Sequence, residues 1–364
     1  MPTYNEAENL PRLVPQLIEA FQGATRARIE IIVVDDNSPD GTGAAADQLA
    51  AEHGETIRVL HRPEKAGLAT AVVAGWELAR APVLAVMDAD GQHPASLPVE
   101  LVRAVEQGAD LAVASRYSPG GGTVNWNPLR LLVSRAGTLF TRLVLPGVVA
   151  DLRDPLSGCF ALRRSVIAGK QLRPLGYKIL LEVLARGEIR SVAEVPYTFT
   201  GRHSGRSKAG VKELVAFSVH LLRLAWATRH FERLARFAAV GAAGVVVNLG
   251  VLAALREFTP LALGICGGIA VAAAALNNFL LNEFWTFADW SRFDPGARAR
   301  LRRFTRFLAI CSGGGLADLA TLLLLAHLLG VHYLLAGASG IVVGALWNYG
   351  MNANLTWRAP RLAA

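Results

Sequence analysis

Four long apolar segments near the end of the sequence constrain its fold more than any other feature. Residues 237–255 and 261–282 carry no charged side chain, and residues 307–330 carry only Asp318. Each segment is long enough to cross about 30 Å of hydrocarbon as a helix. Buried core helices are the alternative, but four of them would leave a small domain without a polar outer face. We therefore predict membrane-spanning helices at about 237–255, 261–282, 307–330 and 332–354.

The four segments form two sequence repeats, and the second lies 70 residues after the first. Two helical hairpins in the same orientation follow from this repeat, related by an axis along the membrane normal if they pack symmetrically. The aligned pairs are Phe237 with Phe307, Asn248 with Asp318, Asn278 with Asn348, Asn282 with Asn352, and Thr286 with Thr356.

Arginines between the repeats predict the orientation in the membrane. Residues 289–306, interpreted as a loop, contain six arginines, whereas the two short turns near 256–260 and 330–332 together contain one. Arg and Lys are enriched on the cytoplasmic side of membrane proteins. We expect the arginine-rich segment, the remaining globular part of the chain and both ends to face the cytoplasm, in a bacterial cell membrane.

Asp318 is the charged residue inside a predicted span. A carboxylate in lipid is costly and is expected to face the interior of a helix bundle. It could form part of a polar path or contact a lipid headgroup. The alternative is a hydrogen bond between helices, to its repeat mate Asn248 or to another Asn.

Residues 211–235 connect the globular and apolar parts and mix large apolar side chains with Lys and Arg. This composition is typical of a helix that lies in the membrane interface with its cations near anionic headgroups. A long extension of the first spanning helix is the alternative. We therefore predict three parts: a globular domain at 1–210, this linker at 211–235, and a membrane domain at 236–364.

The charge is distributed unevenly along the chain. The net charge is −2 over residues 1–201, +5 over 202–230 and +5 over 231–364. Because the globular part is not basic, the sequence argues against a nucleic-acid-binding protein. The three cysteines show no metal-binding spacing and are expected to be free thiols. The sequence leaves the oligomeric state open.

In the globular part, short apolar runs alternate with helical patterns. The runs at 29–34, 83–87 and 110–114 are each followed by polar residues, and helical patterns occupy 43–52, 67–79 and 98–106. This alternation predicts an α/β domain with a mainly parallel, Rossmann-like sheet, whose ligands bind at the carboxyl ends of the strands.

Two groups of carboxylates follow these predicted strands. Asp88 and Asp90, with Gln92 close behind, place oxygen ligands together, as Mg²⁺ or Mn²⁺ on a diphosphate requires. Two aspartates with this spacing also occur in ordinary solvated turns. Asp35 and Asp36 after another strand, with the loop at 62–67, strengthen the interpretation because they suit the base and ribose of a nucleotide.

The globular part resembles the inverting family 2 glycosyltransferases of the GT-A fold, in particular the polyprenyl (dolichyl) phosphate mannose synthases. The resemblance covers nearly all of residues 2–210, and the apolar part is similar to the GtrA-like membrane domain. The matching segments are PTYNEAENL at 2–10, VVDDNSPDGT at 33–42, RPEKAGLATAVVAGWELA at 62–79, VMDADGQHP at 86–94, ASRY at 114–117, DPLSGCFALRR at 154–164, GYKILLEVL at 176–184 and VPYTFTGRHSGRSK at 195–208.

The resemblance implies roles for individual residues. Pro2, Tyr4, Glu6, Asp36 and Lys65, together with Asp88, would bind the nucleotide sugar. Asp88, Asp90 and Gln92 would hold Mg²⁺ or Mn²⁺, and Asp88, Asp90, Arg116 and Arg130 would serve catalysis. The residues that would bind the lipid phosphate are Arg116, Arg130, Ser134, Arg202 and Lys208. Asp154 would orient Arg116 or Arg130, or cap the helix that carries Ser157.

The implied reaction transfers mannose from GDP-mannose to a polyprenyl phosphate, with inversion at the anomeric carbon. Transfer of glucose from UDP-glucose is a close alternative, because lipid-phosphate glucosyltransferases share the two aspartates and the arginines of these motifs. A protein that mainly presents or translocates the phosphosugar lipid is the alternative from another class. The implied partners are the nucleotide sugar, polyprenyl phosphate and the lipid bilayer, without nucleic acid.

The sequence departs from the family pattern at its start. The family carries an apolar strand before the PTYNE motif, whereas Met1 directly precedes Pro2 here. We expect a chain extended upstream by such a strand to be more stable and to bind GDP-mannose more tightly than the chain as written. Equal GDP-mannose affinity of the two chains, measured by calorimetric titration, would contradict this expectation.

Overall fold

The computed structural model of the chain describes residues 1–24, 28–124, 126–149, 152–200, 211–228 and 230–358. These residues divide into two compact units. The first unit comprises the described residues of 1–138 and 152–224, and the second those of 139–149 and 225–358.

Helices and strands alternate along the first unit, as predicted. Each predicted strand and helix named above has a counterpart. In chain order the elements are β1 (Pro2–Thr3), α1 (Leu10–Ala24), β2 (Ile31–Asp35), α2 (Thr42–His53), β3 (Ile57–His61), α3 (Leu68–Leu78), β4 (Val83–Val86), α4 (Leu97–Glu106), β5 (Leu111–Ser115), β6 (Gly122–Thr123), α5 (Pro128–Val144), β7 (Phe160–Arg163), α6 (Ile179–Arg186), β8 (Val192–Pro196), β9 (Thr198–Phe199) and α7 (Val211–Ala227). Of these, α5 and α7 begin in the first unit and end in the second.

The strands form two main sheets and a short pair. The order β1-β2-β3 is wholly parallel, and the second sheet has the order β4-β7-β5-β8. In the second sheet β7 is antiparallel to both of its neighbours, whereas β5 and β8 are parallel. The predicted α/β class with a mainly parallel sheet is therefore confirmed, and β7 is the exception.

An apolar cavity of about 270 Å³ lies between β2 and β4. Ile32 and Val34 of β2 line it, with Leu84 and Val86 of β4 opposite. Beside it, β1 pairs through two residues with Val34 and Asp35. The expectation about a strand before Pro2 remains a prediction.

Helix α1 shows why the core forms where it does. Its residues Leu10, Leu13, Val14 and Leu17 recur at helical spacing and are all buried. Because this spacing places them on one face, the helix packs that face inward. The strand β5 is buried along its whole length, as expected of a central strand covered on both faces.

The second unit is helical. Among the described residues, four helical segments are long and apolar enough to cross a membrane, at Phe231–Phe258, Leu263–Thr286, Ala297–Leu328 and Tyr333–Thr356. Four apolar helices in this part of the chain are therefore confirmed, and each overlaps one predicted segment, although the third begins ten residues earlier than predicted; that they span a membrane at these bounds remains a prediction. The helices are α8 (His230–Phe258), α9 (Leu263–Leu281), α10 (Ala288–Ser291), α11 (Ala297–Leu323) and α12 (Tyr333–Met351), and π-helical turns follow at Asn282–Thr286, Leu324–Leu328 and Asn352–Thr356.

The sequence repeat is visible in the packing. The π-helical turns Asn282–Thr286 and Asn352–Thr356 end α9 and α12 at positions 70 residues apart. The repeat mates Phe287 and Trp357 stack on each other, with ring centroids 4.5 Å apart and planes 9° from parallel. Asn278 lies against Gly244 in the first hairpin, and their mates Asn348 and Gly314 form the same contact in the second.

The arginine-rich segment differs from the prediction. It was interpreted as a loop, but α11 begins at Ala297, so that most of its arginines are helical. Arg and Ala are strong helix formers, which explains the difference. One of these arginines, Arg303, is 4% exposed and pairs with the buried Glu283 through two hydrogen bonds of 2.9 and 2.5 Å.

Asp318 faces the neighbouring helix of its own hairpin. Its side chain occupies the space that a Cβ atom on Gly340 would need, and its own Cβ lies against Gly344. The two glycines of α12 therefore make room for Asp318. The linker consists of α7 followed by a separate α8, which begins at His230.

We predict that Gly340→Ala lowers the stability of the second unit. The new Cβ would lie 2.7 Å from the backbone oxygen of Asp318, and overpacking of this kind costs about 1–3 kcal/mol. The matched control is Gly337→Ala in the same helix, where nothing lies within 4 Å of the new Cβ. Thermal unfolding of the detergent-solubilised protein measures both. Equal melting temperatures for the two variants would contradict this packing.

Candidate functional site

The loop after β2 is fixed by Asp36. Its side chain is buried and accepts hydrogen bonds from the Arg62 guanidinium at 2.6 Å and from the backbone N–H groups of Ala66 and Gly67 at 3.0 and 2.8 Å. One carboxylate therefore holds the loop at 62–67 in place. Asp36 and this loop, both predicted to serve the nucleotide, lie together.

The segment after β1 joins the same group. Lys65 places its ammonium 3.6 Å from the centre of the Tyr4 ring. The backbone N–H of Glu6 donates to the Thr42 hydroxyl at 2.8 Å, and the carboxylate of Glu6 accepts from the Asn9 amide. Pro2, two residues before Tyr4, is in β1 and buried.

The carboxylate of Asp40, an exposed residue, stabilises this loop arrangement. Asp40 accepts hydrogen bonds from the Thr42 hydroxyl and from the backbone N–H groups of Ala7 and Thr42. Burial alone would raise the pKa of Asp40, but these hydrogen bonds outweigh it and the pKa is lowered. Asp40 therefore stays ionised and ties the segment after β1 to the loop after β2.

Asp88, Asp90 and Gln92 follow β4. Asp90 and Gln92 are buried, and the backbone N–H of Gln92 donates to Asp90 at 3.2 Å. The side-chain NH₂ group of Gln92 donates to the backbone oxygen of Thr200 at 3.2 Å. The side-chain oxygen of Gln92 therefore lies on the opposite side of its amide group from this hydrogen bond.

Space beside Asp88 depends on a glycine. A Cβ on Gly158 would lie 2.8 Å from a carboxylate oxygen of Asp88, so any larger residue would displace that carboxylate. Within the described part of the chain, no group of three or more His, Cys, Asp or Glu side chains forms a ready metal site. A cation here would need oxygen atoms from Gln92 and from a ligand in addition to the two carboxylates.

Arg116 and Asp154 form a buried ion pair beside this acidic group. The guanidinium donates through Nε and Nη2 to the two carboxylate oxygens at 2.7 and 2.8 Å, and the Arg116 backbone N–H adds a third bond at 3.1 Å. Asp154 is 0% exposed. Burial alone would lower the pKa of Arg116. The hydrogen bonds to Asp154 and the negative charge of Asp154 raise this pKa by more than burial lowers it, so Arg116 is a permanent cation. Asp154 therefore orients Arg116, which is one of the roles that the resemblance left open for it.

The other predicted phosphate ligands lie on α5. Asn127 caps this helix by accepting the backbone N–H of Arg130 at 2.7 Å. The Arg130 guanidinium stacks 4.3 Å from the ring centre of Trp126, and the Ser134 hydroxyl lies 2.8 Å from that of Tyr117. Arg202 and Lys208 lie outside the described residues.

Lys178 is a buried cation in the matching segment at 176–184, and the family resemblance gives it no defined role. Its ammonium donates to the backbone oxygen of Leu156 at 2.5 Å. Burial, assisted by Arg116, lowers the pKa of Lys178 to about 8, and the charges of Asp88 and Asp154 oppose this shift. These interactions place Lys178 between the acidic and the basic groups of the site.

His93 lies next to Gln92 but remains neutral. Burial, with Arg116 and Lys178 nearby, lowers the pKa of His93 to about 4. Its ring stacks on Tyr197, with the centroids 5.3 Å apart. A neutral imidazole packed in this way supports neighbouring loops.

Opposite charges therefore lie side by side in this part of the first unit. Carboxylates that suit a cation are flanked by Arg116 and Lys178, and Arg130 extends the positive charge along α5. Guanidinium groups bind phosphate through paired N–H donors. The arrangement is suited to hold a diphosphate with its cation next to a second phosphate.

Two family models match the chain. Residues 1–168 match the glycosyl transferase family 2 model, and residues 236–357 match the model of the GtrA/DPMS transmembrane domain. The first match covers the loops of the site up to Asp154, and the second covers the four spans.

Curated relatives agree with both matches. A dolichol-phosphate mannosyltransferase of Pyrococcus furiosus is 39% identical over 98% of each chain. A polyprenol monophosphomannose synthase of Mycolicibacterium smegmatis is 43% identical over 57% of this chain and 78% of its own. An undecaprenyl-phosphate mannosyltransferase of Micrococcus luteus is 41% identical over 57% of this chain and 85% of its own.

We predict that Asp154→Asn destabilises the first unit by about 3–5 kcal/mol, because removing one partner of a buried ion pair leaves the other charge unpaired. The control is Glu188→Gln, which removes an exposed partner of Lys170 and should not measurably change stability. Denaturant unfolding followed by circular dichroism compares the two. An Asp154→Asn variant as stable as the control would show that the ion pair does not stabilise the site.

Proposed function

Because the chain belongs to the dolichol-phosphate mannosyltransferases of glycosyltransferase family 2, we propose that it transfers mannose from GDP-mannose to a polyprenyl phosphate at a membrane surface. The observation that carries this proposal is the buried Arg116–Asp154 ion pair, which lies close to Asp88 because the charges of all three residues act on the Lys178 ammonium. A rigidly held guanidinium next to these carboxylates suits a second phosphate in addition to the donor diphosphate.

The donor occupies the loops after β1, β2 and β4. Tyr4, Lys65 and the loop held by Asp36 surround the nucleoside, and the family resemblance assigns Glu6 and Pro2 to the same pocket. The diphosphate lies toward Asp88. Because Asp36 is already bonded to Arg62, Ala66 and Gly67, its role is to shape the loop that receives the base.

Asp88, Asp90 and Gln92 would hold Mg²⁺ or Mn²⁺ on the diphosphate. Their oxygen donors suit either ion, and Gly158 leaves the Asp88 carboxylate in position to serve it. Such an ion supplies electrostatic stabilisation of the departing nucleoside diphosphate. Lys178, with its charge beside Asp88, adds to that stabilisation from the protein.

The acceptor phosphate lies between Arg116 and Arg130, with Ser134 nearby. Arg202 and Lys208, which lie outside the described residues, are assigned to the same phosphate from the family resemblance alone. A phosphate monoester has a second pKa near 6 and is largely ionised at neutral pH. Its oxygen is therefore already a nucleophile, and the arginines need only position it in line with the anomeric carbon and reduce its repulsion from the diphosphate.

This chemistry needs no general base, unlike transfer to a sugar hydroxyl. Direct attack by the phosphate oxygen breaks the bond between the anomeric carbon and GDP and inverts the configuration, giving a β-linked lipid phosphosugar. His93, neutral and packed on Tyr197, fits this account because no proton has to be removed.

The experiment that tests the proposal incubates membranes containing the full chain with polyprenyl phosphate and either labelled GDP-mannose or labelled UDP-glucose. Labelled lipid from GDP-mannose is expected. If only UDP-glucose gives labelled lipid, the donor is UDP-glucose and not GDP-mannose. No labelled lipid from either donor would contradict the proposed enzyme and favour a role in lipid presentation.

We predict that Asp90→Ala lowers the transfer rate by about 100-fold or more while the protein still inserts into membranes, because the charge on the departing GDP loses its stabilisation. Asp47→Ala is the matched control. Asp47 is 58% exposed on α2, where its carboxylate pairs with the exposed His61. Initial rates with and without added Mn²⁺ measure the effect. Retention of metal-dependent transfer in Asp90→Ala would contradict the metal assignment.

A further inference from the structure

Trp126 lies against both arginines of the acceptor site, although neither its sequence context nor the family resemblance gave it a role. Its ring centre is 4.3 Å from the guanidinium carbon of Arg130 and 5.3 Å from that of Arg116. Phe199 packs edge-on against the same ring, with the centroids 5.5 Å apart. Trp126 is therefore shared by two cations that come from different elements, the end of β5 and the start of α5, and the Phe199 ring lies farther from the same two, at 5.7 and 5.9 Å.

The geometry of this contact leaves the arginines able to bind an anion. An aromatic face attracts the flat face of a guanidinium, whereas the N–H donors point outward from its edge. The Arg116 guanidinium donates through Nε and Nη2 to Asp154. These hydrogen bonds and the contact with the Trp126 ring together fix the guanidinium in one orientation. Arg130 is exposed on α5, and stacking on Trp126 restricts a side chain that would otherwise sample many rotamers.

The indole N–H adds an independent observation. The Nε1 atom of Trp126 is buried and has no hydrogen-bond partner among the described residues. Buried donors are almost always satisfied, since an unmade hydrogen bond in the interior is costly. A phosphate oxygen held between the two arginines would be the acceptor that this donor lacks.

We propose that Trp126 positions the guanidinium groups of Arg116 and Arg130 for the acceptor phosphate and donates its N–H to that phosphate. This inference rests on the proposed function, because it assigns the acceptor to that site. The competing explanation is that Trp126 only packs against Phe199 and stabilises the fold. The two explanations differ in which substrate a substitution affects.

The test compares Trp126→Leu, which removes both the aromatic face and the N–H, with Trp126→Phe, which keeps an aromatic face. Farnesyl phosphate in detergent micelles serves as the acceptor and GDP-mannose as the donor. Trp126→Leu should raise the KM for farnesyl phosphate about tenfold, and Trp126→Phe should raise it about threefold, since the cation–π contact is partly restored. The KM for GDP-mannose should stay within about twofold of the wild-type value, as the stack contacts only the acceptor side.

A matched control uses Trp76→Phe. Trp76 is buried in α3 against Phe160, and no cation among the described residues stacks on its ring. This substitution is expected to lower the melting temperature and to leave both KM values unchanged. If Trp126→Leu behaves like Trp76→Phe, Trp126 is a packing residue and the proposal is wrong. A parallel rise in both KM values for Trp126→Leu would also overturn it.

Direct binding of farnesyl phosphate separates this inference from the proposed function. If the wild-type protein binds farnesyl phosphate in a fluorescence titration but transfers no sugar, the proposed function fails. The positioning role would still be supported by weaker binding to Trp126→Leu, with Trp126→Phe intermediate. Unchanged binding in both variants would overturn the positioning role whether or not transfer occurs.

Discussion

The ion pair between Arg116 and Asp154 is the interaction on which the rest of the site depends. Three hydrogen bonds join the two residues, and the carboxylate is fully buried. A buried charge is tolerated only when it is paired and hydrogen-bonded, so each partner makes the other possible. The result is a permanent positive charge at a fixed position that suits an anion, next to carboxylates that suit a cation.

This arrangement answers the main physical difficulty of the reaction. Two molecules that both carry phosphate groups must approach within bonding distance, although they repel each other. Fixed cations reduce that repulsion without any reorganisation when the substrates meet, which is the general advantage of a preorganised site. In the proposed reaction Asp88 and Asp90 would act on the donor and Arg116 on the acceptor, and Lys178 lies close enough to both groups for their charges to act on it.

Much of this could be predicted from the sequence, because the positions of Asp36, Asp88 and Arg116 follow from apolar runs that end in polar residues. The contacts of Trp126 and Lys178 could not, since they depend on how irregular loops fold and follow no periodic pattern. The arginines at 292–306 were interpreted as loop charges, yet Arg303 is buried with Glu283. A charge count predicts the side of the membrane, but it does not reveal which arginine has a buried partner. The repeat, by contrast, correctly indicated two equivalent hairpins, because Gly244–Asn278 and Gly314–Asn348 make equivalent contacts.

The central claim is that the acceptor phosphate attacks the sugar directly, held by arginines and assisted by no protein nucleophile. The configuration of the product at the anomeric carbon tests this claim most directly. The one-bond carbon–hydrogen coupling at that carbon, measured by NMR on lipid product made from ¹³C-labelled GDP-mannose, distinguishes the two anomers. The account predicts the β-linked product. An α-linked product would require two successive displacements or a different attack, and it would contradict the account.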